Sequence, residues 1–222
     1  MTASKRALDL LGASLGLLLF APAFGLVALA ITLDDGGPVF FRQLRIGAGG
    51  IPFRIWKFRT MRPTAGTPIT VGADRRITRV GRWLRRYRLD ELPQLLNVLT
   101  GTMSLVGPRP EVPEFVAAYS PVERELLRYR PGMTDPASLQ FRNEADILGR
   151  MADPVNGYRV QVLPLKLAAS LSYARRATTW SDLRVLMATA LAVVADGTGH
   201  AAAMPRNVLH DSSEVRPDAP VR

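Results

Sequence analysis

The 222-residue chain has no cysteine and only two histidines. Lack of cysteine excludes disulfides, thiolate nucleophiles and cysteine-bound zinc. His200 and His210 both fall in a C-terminal stretch that reads as a loose tail over 197–222. The folded part is therefore left without an imidazole base or a histidine-rich metal site. Chemistry there must run on carboxylates, lysine, arginine, hydroxyls or a cation held by oxygen, which favours Mg²⁺. Acidic residues are also outnumbered, 19 against 29 lysines and arginines, for a net charge of +10. That balance suits nucleic acid, an anionic membrane surface or phosphorylated substrates, and does not choose among them.

Charge is absent altogether from Leu10 to Leu33, a run long enough to cross a hydrocarbon core of ~30 Å. Lys5 and Arg6 precede it. A signal peptide would have such a basic start, but its apolar core is usually shorter. A straight membrane helix fits by length. A re-entrant helix-break-helix fits as well, because Pro22 stands near the middle and proline removes a backbone donor. Basic residues flank the run on both sides, with Arg42, Arg45, Arg54, Lys57 and Arg59 on its C-terminal side. Charge alone then assigns no orientation.

Beyond the apolar run the chain is a mixture of short elements. Val39–Arg42 and Phe53–Arg59 read as strands around a glycine turn at Gly47–Gly50. That turn lacks the Lys-Ser/Thr of a phosphate-binding loop. Asp34-Asp35 reads as a polar cap leading into Gly36-Gly37. Met61–Ala73 has loop composition, and Arg75–Arg88 carries seven arginines around Ile77, Val80 and Leu84 at helical spacing. This basic amphipathic segment suits a solvated helix, anionic headgroups or diphosphate. Trp56, Trp83 and Trp180 serve equally as interfacial anchors or as core. A helix is predicted to open at Asp90, with Pro93 in its first turn and Gly101 ending it. Met103–Val106 is a short strand candidate, Ser120–Glu123 a capping box, and helices are predicted over 165–176 and 181–195. The sum is an α+β chain, mostly helical with short strands.

Asp90 and Glu91 are the pair that stands out. Taken alone, they read as a cap and a favourable first-turn charge. Two carboxylates at such a turn can also share one Mg²⁺ and face a phosphate, and one of them can attack phosphorus.

Further strings surround this pair: Lys5-Arg6-Ala7-Leu8-Asp9, Gln43-Leu44-Arg45-Ile46-Gly47 and Lys57-Phe58-Arg59-Thr60-Met61. Then come Leu89-Asp90-Glu91-Leu92-Pro93-Gln94, Asn97-Val98-Leu99, Met103 through Pro110, and Arg130-Pro131-Gly132-Met133-Thr134. In this order they resemble the bacterial sugar transferases, the monotopic polyprenyl-phosphate phosphoglycosyl transferases that initiate cell-surface glycan assembly. The resemblance runs from about Lys5 to Val194. It implies that Asp90 is the nucleophile that takes a phosphosugar from a UDP-sugar and releases UMP. It also implies that Glu91, with Asp90, holds Mg²⁺, and that polyprenyl (undecaprenyl) phosphate collects the phosphosugar. Arg109 matches a phosphate clamp, and Lys57, Arg59, Arg85 and Arg130 match further basic positions. Residues 1–36 would form the re-entrant hairpin bent at Pro22, with Lys5 and Arg6 at headgroup level. Residues 37–196 would form the catalytic domain on the cytoplasmic face of the bacterial inner membrane. Ala21 replaces a common serine, and residues 135–144 depart from a common Gly-Trp version, a segment with a bearing on sugar or nucleotide choice. The partners expected are UDP-sugar, polyprenyl phosphate and the bilayer, with no nucleic acid and a homodimer as one possible state. The rival reading is a membrane-anchored basic adapter for anionic lipid or nucleic acid.

Overall fold

A computed structural model describes residues 2–62 and 74–198, and the side chains as far as residue 195. The predicted tail lies outside these residues apart from its first two positions, as does most of the predicted Met61–Ala73 loop. Helix α1 (Ala3–Asp35) fills the uncharged run and carries Thr2 as its N-cap. Helical backbone continues through Pro22, so the two separate helices expected there are one segment of 33 residues. Proline removes a single N–H from the ladder, which a helix can carry with a local bend. Phe24 also packs edge-on against Phe58 at 5.0 Å, holding the segment just after the proline to the domain. Gly36, in the left-handed region at φ 69°, ends the helix.

Strands β1 (Phe40–Ile46) and β2 (Pro52–Phe58) form an antiparallel hairpin in which Phe41 faces Lys57. The glycines between them make the predicted turn. Helix α2 (Arg79–Arg86) is shorter than the arginine run suggested. Thr78 caps it by accepting the Gly81 N–H, which leaves Arg75 and Arg76 before the helix and Arg88 beyond it. The segment expected to open an α-helix at Asp90 is a 3-10 turn over Leu89–Gln94, continued by helix α3 (Leu95–Leu99). Pro93 lacks the N–H that an α-helical bond there would use, and the tighter turn satisfies the chain instead.

Strand β3 (Ser104–Val106) comes next, then helix α4 (Pro113–Ala117). The Ser120–Glu123 capping box forms reciprocally, Ser120 N–H to Glu123 at 2.7 Å and Glu123 N–H to Ser120 at 3.3 Å. It opens a 3-10 segment rather than an α-helix. Strand β4 (Gly132–Thr134) pairs in parallel with β3. Helices α5 (Pro136–Gln140), α6 (Glu144–Leu148) and α7 (Pro154–Gly157) lead through a π-type turn at Tyr158–Val162 into α8 (Leu163–Arg176). Helix α9 (Thr179–Thr198) closes the described chain.

One core is built from Ala13 of α1, Ile55, Val98, Met103, Val106 and Val185. Each large apolar side chain buried in this way stabilises by about 1.5–3 kcal/mol. Gly12 makes the seat possible: a Cβ there would stand 2.6 Å from Leu105. A second cluster joins Val27 and Ile31 of α1 to Phe58 and Leu84. A third, around Phe115, Leu148 and Leu163, supports the far side of the molecule.

Polar contacts hold both ends of α1. Lys5 donates to Asp182 at 2.5 Å and to the Val106 carbonyl at 2.9 Å. Arg6 caps the C-terminus of α3 through the Val98 and Leu99 carbonyls, at 2.7 and 2.8 Å. Asp9, fully buried, accepts from Ser104 and from the Leu105 N–H. At the other end Asp34 accepts the Val80 N–H at 3.0 Å, and Asp35 pairs with Arg59. Asp34-Asp35 thus does more than the polar cap expected of it. Leu11, Leu15, Leu18, Leu26, Leu29 and Leu33 remain exposed along the helix.

Candidate active site

The 3-10 turn that carries Asp90 and Glu91 lies against β2, and this packing sets their environment. Glu91 is fully engaged. Lys57, from β2, donates to its Oε1 at 2.7 Å. Arg109 adds both terminal nitrogens, 2.5 Å to Oε1 and 3.2 Å to Oε2. Burial alone would raise the Glu91 carboxyl, but Arg109 and Lys57 outweigh it and hold the group well below the usual carboxylate range. In return Glu91 pushes the Arg109 guanidinium further up, while burial draws the Lys57 ammonium down.

Asp90 is placed differently. It is buried, at 6 % exposure, and its carboxylate has no hydrogen bond or ion pair among the described residues. Burial raises its pKa, Glu91 adds to the rise, and Lys57, Arg85 and Arg88 only partly offset it. The two adjacent carboxyls are thus shifted in opposite directions. Glu91 is locked as an anion, whereas Asp90 faces open space without a partner.

That space is a cavity of about 910 Å³, near the upper end of ordinary ligand sites. Lys57, Arg59, Arg85, Asp90, Glu91 and Arg109 all line it. Arg59 does so while tied to Asp35, which makes it a pin between α1 and β2 as much as a cavity residue. Arg85 lies 3.7 Å from the Met61 sulfur. Arg130 lines neither this cavity nor the smaller one beside it. It sits near Arg6 at Gly101, where a Cβ would be 3.8 Å from its Nη1. Pro38, Phe40 and Phe41 form an apolar lip.

Another part of the cavity lining is not legible in the sequence. Arg142, Asn143 and Glu144, at the end of the divergent 135–144 segment, form it. Behind them Lys166 donates to Glu144 at 2.6 Å and to the Tyr158 hydroxyl at 3.3 Å. Tyr158 in turn donates to Glu111 at 2.7 Å. Burial, reinforced by Glu111, pushes the Tyr158 hydroxyl far up, so it remains a donor. A spacing signal exists only in part: Tyr158 and Lys166 stand about two turns apart, a pattern that ordinary core positions share.

The arginine spacing places Arg88 in the same helix as its neighbours. It lies instead beyond the helix, at φ 56° and ψ 17°, as the one non-glycine residue with positive φ among the described residues. Left-handed backbone costs an L-residue about 1–2 kcal/mol.

A model of the family described as bacterial sugar transferase matches residues 1–196. The chain belongs to that family. It is 40% identical over 192 residues to the UDP-glucose:undecaprenyl-phosphate glucose-1-phosphate transferase of Escherichia coli (strain K12), covering 83% of this chain and 39% of the relative. The enzyme of the same name from Caulobacter vibrioides is 41% identical over 192 residues, 83% of this chain and 67% of that protein. A UDP-N-acetylgalactosamine-undecaprenyl-phosphate N-acetylgalactosaminephosphotransferase of Aeromonas hydrophila is 36% identical over 194 residues, 83% and 42% respectively. The chain therefore spans well under half the length of two of these relatives. Their names carry different sugars on the same acceptor.

The site can also be judged as a place for Mg²⁺. No group of three or more acidic or histidine side chains converges among the described residues. Two acidic side chains do not enclose a cation, and Glu91 already accepts from Lys57 and Arg109, so Mg²⁺ at Asp90 and Glu91 would take its remaining oxygens from phosphate and water.

Proposed function

We propose that this chain transfers a sugar-1-phosphate from a UDP-sugar to polyprenyl (undecaprenyl) phosphate through a covalent intermediate on Asp90. The observation that carries the reading is the asymmetry of the pair: a buried, unpartnered Asp90 beside a Glu91 held by Arg109 and Lys57. An Asp90 carboxylate oxygen attacks the phosphorus bearing the sugar, and the bond to the UMP oxygen breaks, so UMP leaves with that electron pair. A phosphate oxygen of the polyprenyl acceptor then attacks the same phosphorus. The acyl-phosphate bond breaks, and Asp90 returns as a carboxylate.

Lys57, Arg85 and Arg109 would hold phosphate oxygens, as guanidinium and ammonium groups do. Mg²⁺, held by Asp90 and Glu91 with the donor, would supply neutralisation of diphosphate charge. Burial of Asp90 leaves its oxygens poorly solvated, which favours attack once substrate cations and phosphate have replaced water.

The membrane part of the reading rests on α1. The same domain grips its two ends, and the exposed leucines face away from the protein. A helix of 33 residues is about 50 Å long, and a domain that touches both ends suits a helix entering and leaving on one face. We infer that this face is the cytoplasmic side of the bacterial inner membrane, and that the Pro38–Phe41 lip admits the acceptor's apolar chain.

The deciding experiment supplies a UDP-sugar labelled at the β-phosphate, Mg²⁺ and membranes carrying the full chain. Wild type is expected to release UMP and to retain label on the protein until polyprenyl phosphate is added. Asp90→Asn should do neither; turnover by that variant at the wild-type rate would overturn the assignment.

A further inference from the structure

Arg88 occupies a position where its side chain makes the backbone less comfortable, and a glycine would sit there without strain. Its φ of 56° turns the chain between α2 and the Asp90 turn. The Glu91 N–H accordingly bonds back to the Arg88 carbonyl at 3.3 Å. The side chain is half-buried and lines the cavity. Among the described residues its one hydrogen bond runs from Nη2 to the carbonyl of Arg142, another lining residue, at 3.2 Å. A guanidinium carries five donors, so this bond leaves most of them for the cavity. Arg88 also bears electrostatically on both carboxylates, a property it shares with Lys57. Unlike Lys57 and Arg109, it forms no ion pair with Glu91.

Resting on phosphosugar transfer as the function, we propose that Arg88 binds the diphosphate of the nucleotide-sugar donor, and that the left-handed turn exists to deliver its guanidinium beside Asp90. The turn fixes where the side chain leaves the backbone, two residues before the nucleophile. The Arg142 carbonyl holds the far end of the side chain, which lines the cavity without an ion pair to either carboxylate among the described residues. A diphosphate entering between the walls meets a cation already extended, and two of its oxygens can be gripped in parallel. Arg109 and Lys57 must share themselves with Glu91. Among the described residues Arg88 has no such carboxylate partner.

The test separates a binding role from a turn role by choosing replacements that suit the turn. Arg88→Gly and Arg88→Asn both tolerate positive φ and remove the charge. Full-length protein in membranes or detergent is measured for melting temperature, for affinity to UDP with Mg²⁺, and for donor KM and kcat. Both variants are expected to melt within a few degrees of wild type and to bind UDP about tenfold more weakly or worse, as for loss of one charge-assisted contact. Donor KM should rise more than kcat falls. Wild-type UDP affinity in Arg88→Gly or Arg88→Asn would overturn the proposal while leaving phosphosugar transfer intact. Failure of the wild-type chain itself to bind UDP would overturn the underlying function as well.

Discussion

Arg109 grips Glu91 through both terminal nitrogens, at 2.5 and 3.2 Å, while the neighbouring buried Asp90 carboxylate has no hydrogen bond or ion pair among the described residues. Adjacent acids with opposite pKa shifts are a common route to divided roles. Here the division comes from β2 and from the residues after β3, whose Lys57 and Arg109 form ion pairs with Glu91 and none with Asp90 among the described residues.

A buried carboxylate whose neighbouring cations only partly offset its burial destabilises the protein that carries it. The Asp90 pKa is raised in the folded state, so its contribution to stability is most favourable below the unfolded value of about 3.9 and is lost as pH rises through the folded value. Asp90→Asn should therefore abolish UMP release and yet melt higher at pH 7, by roughly 0.5–2 kcal/mol. The gain should shrink toward pH 4. Melting curves at the two pH values check this, and an Asn variant less stable at pH 7 would contradict it.

Glu91 has the opposite sign. Its folded pKa lies well below the unfolded value of about 4.3, so the Arg109–Glu91 contribution is complete above that value and fades as pH falls through the folded one. Arg109→Ala is expected to cost on the order of 2 kcal/mol at pH 7, below the range for a wholly buried pair because Arg109 is 27 % exposed. At pH 3 the difference from wild type should be smaller. Denaturant titrations at both pH values provide the measurement.

Basic residues matched by sequence should separate in kinetics. Arg85→Ala should raise donor KM, since Arg85 lines the cavity, while Arg130→Ala should leave it within about twofold. Arg59→Ala should lower the melting temperature through loss of its Asp35 pair, whatever it does to KM. Equal KM effects at 85 and 130 would place Arg130 back in the site.

The absence of cysteine permits a clean topology test. Single cysteines at Ser4 and Gly36 should react with a membrane-impermeant thiol reagent from the same side of sealed vesicles. Labelling from opposite sides would mean that α1 crosses the bilayer.

Gly12→Leu should wedge α1 away from Leu105, because even a Cβ there approaches to 2.6 Å. Overpacking of that kind costs about 1–3 kcal/mol. Limited proteolysis within α1 should accelerate accordingly.

Local pattern carried much of the fold. The β1–β2 hairpin, the strand at 104–106, the Gly101 stop and the last two helices all announce themselves through alternation, turn residues or helical spacing. Asp90 and Glu91 were legible through motif context. Their unequal states were not, because these depend on Lys57 and Arg109, which stand 34 and 18 residues from Glu91. The cavity wall at 142–144 and its brace through Lys166, Tyr158 and Glu111 likewise depend on long-range packing. Arg88 shows the limit of periodicity: seven arginines near helical spacing suggested one helix, and a threonine cap with a left-handed turn cut it to eight residues.

Double attachment of α1 also constrains its length in register. Each residue of an α-helix advances the chain by about 100° and 1.5 Å. One residue inserted between Ala13 and Leu33 would rotate Asp34 and Asp35 about a quarter-turn past Val80 and Arg59 unless Asp9 and Lys5 let go. The leucine stripe and the cavity beside Asp90 are thereby phased to each other like two marks on one shaft, and a change in helix length that preserves hydrophobicity would still put them out of alignment.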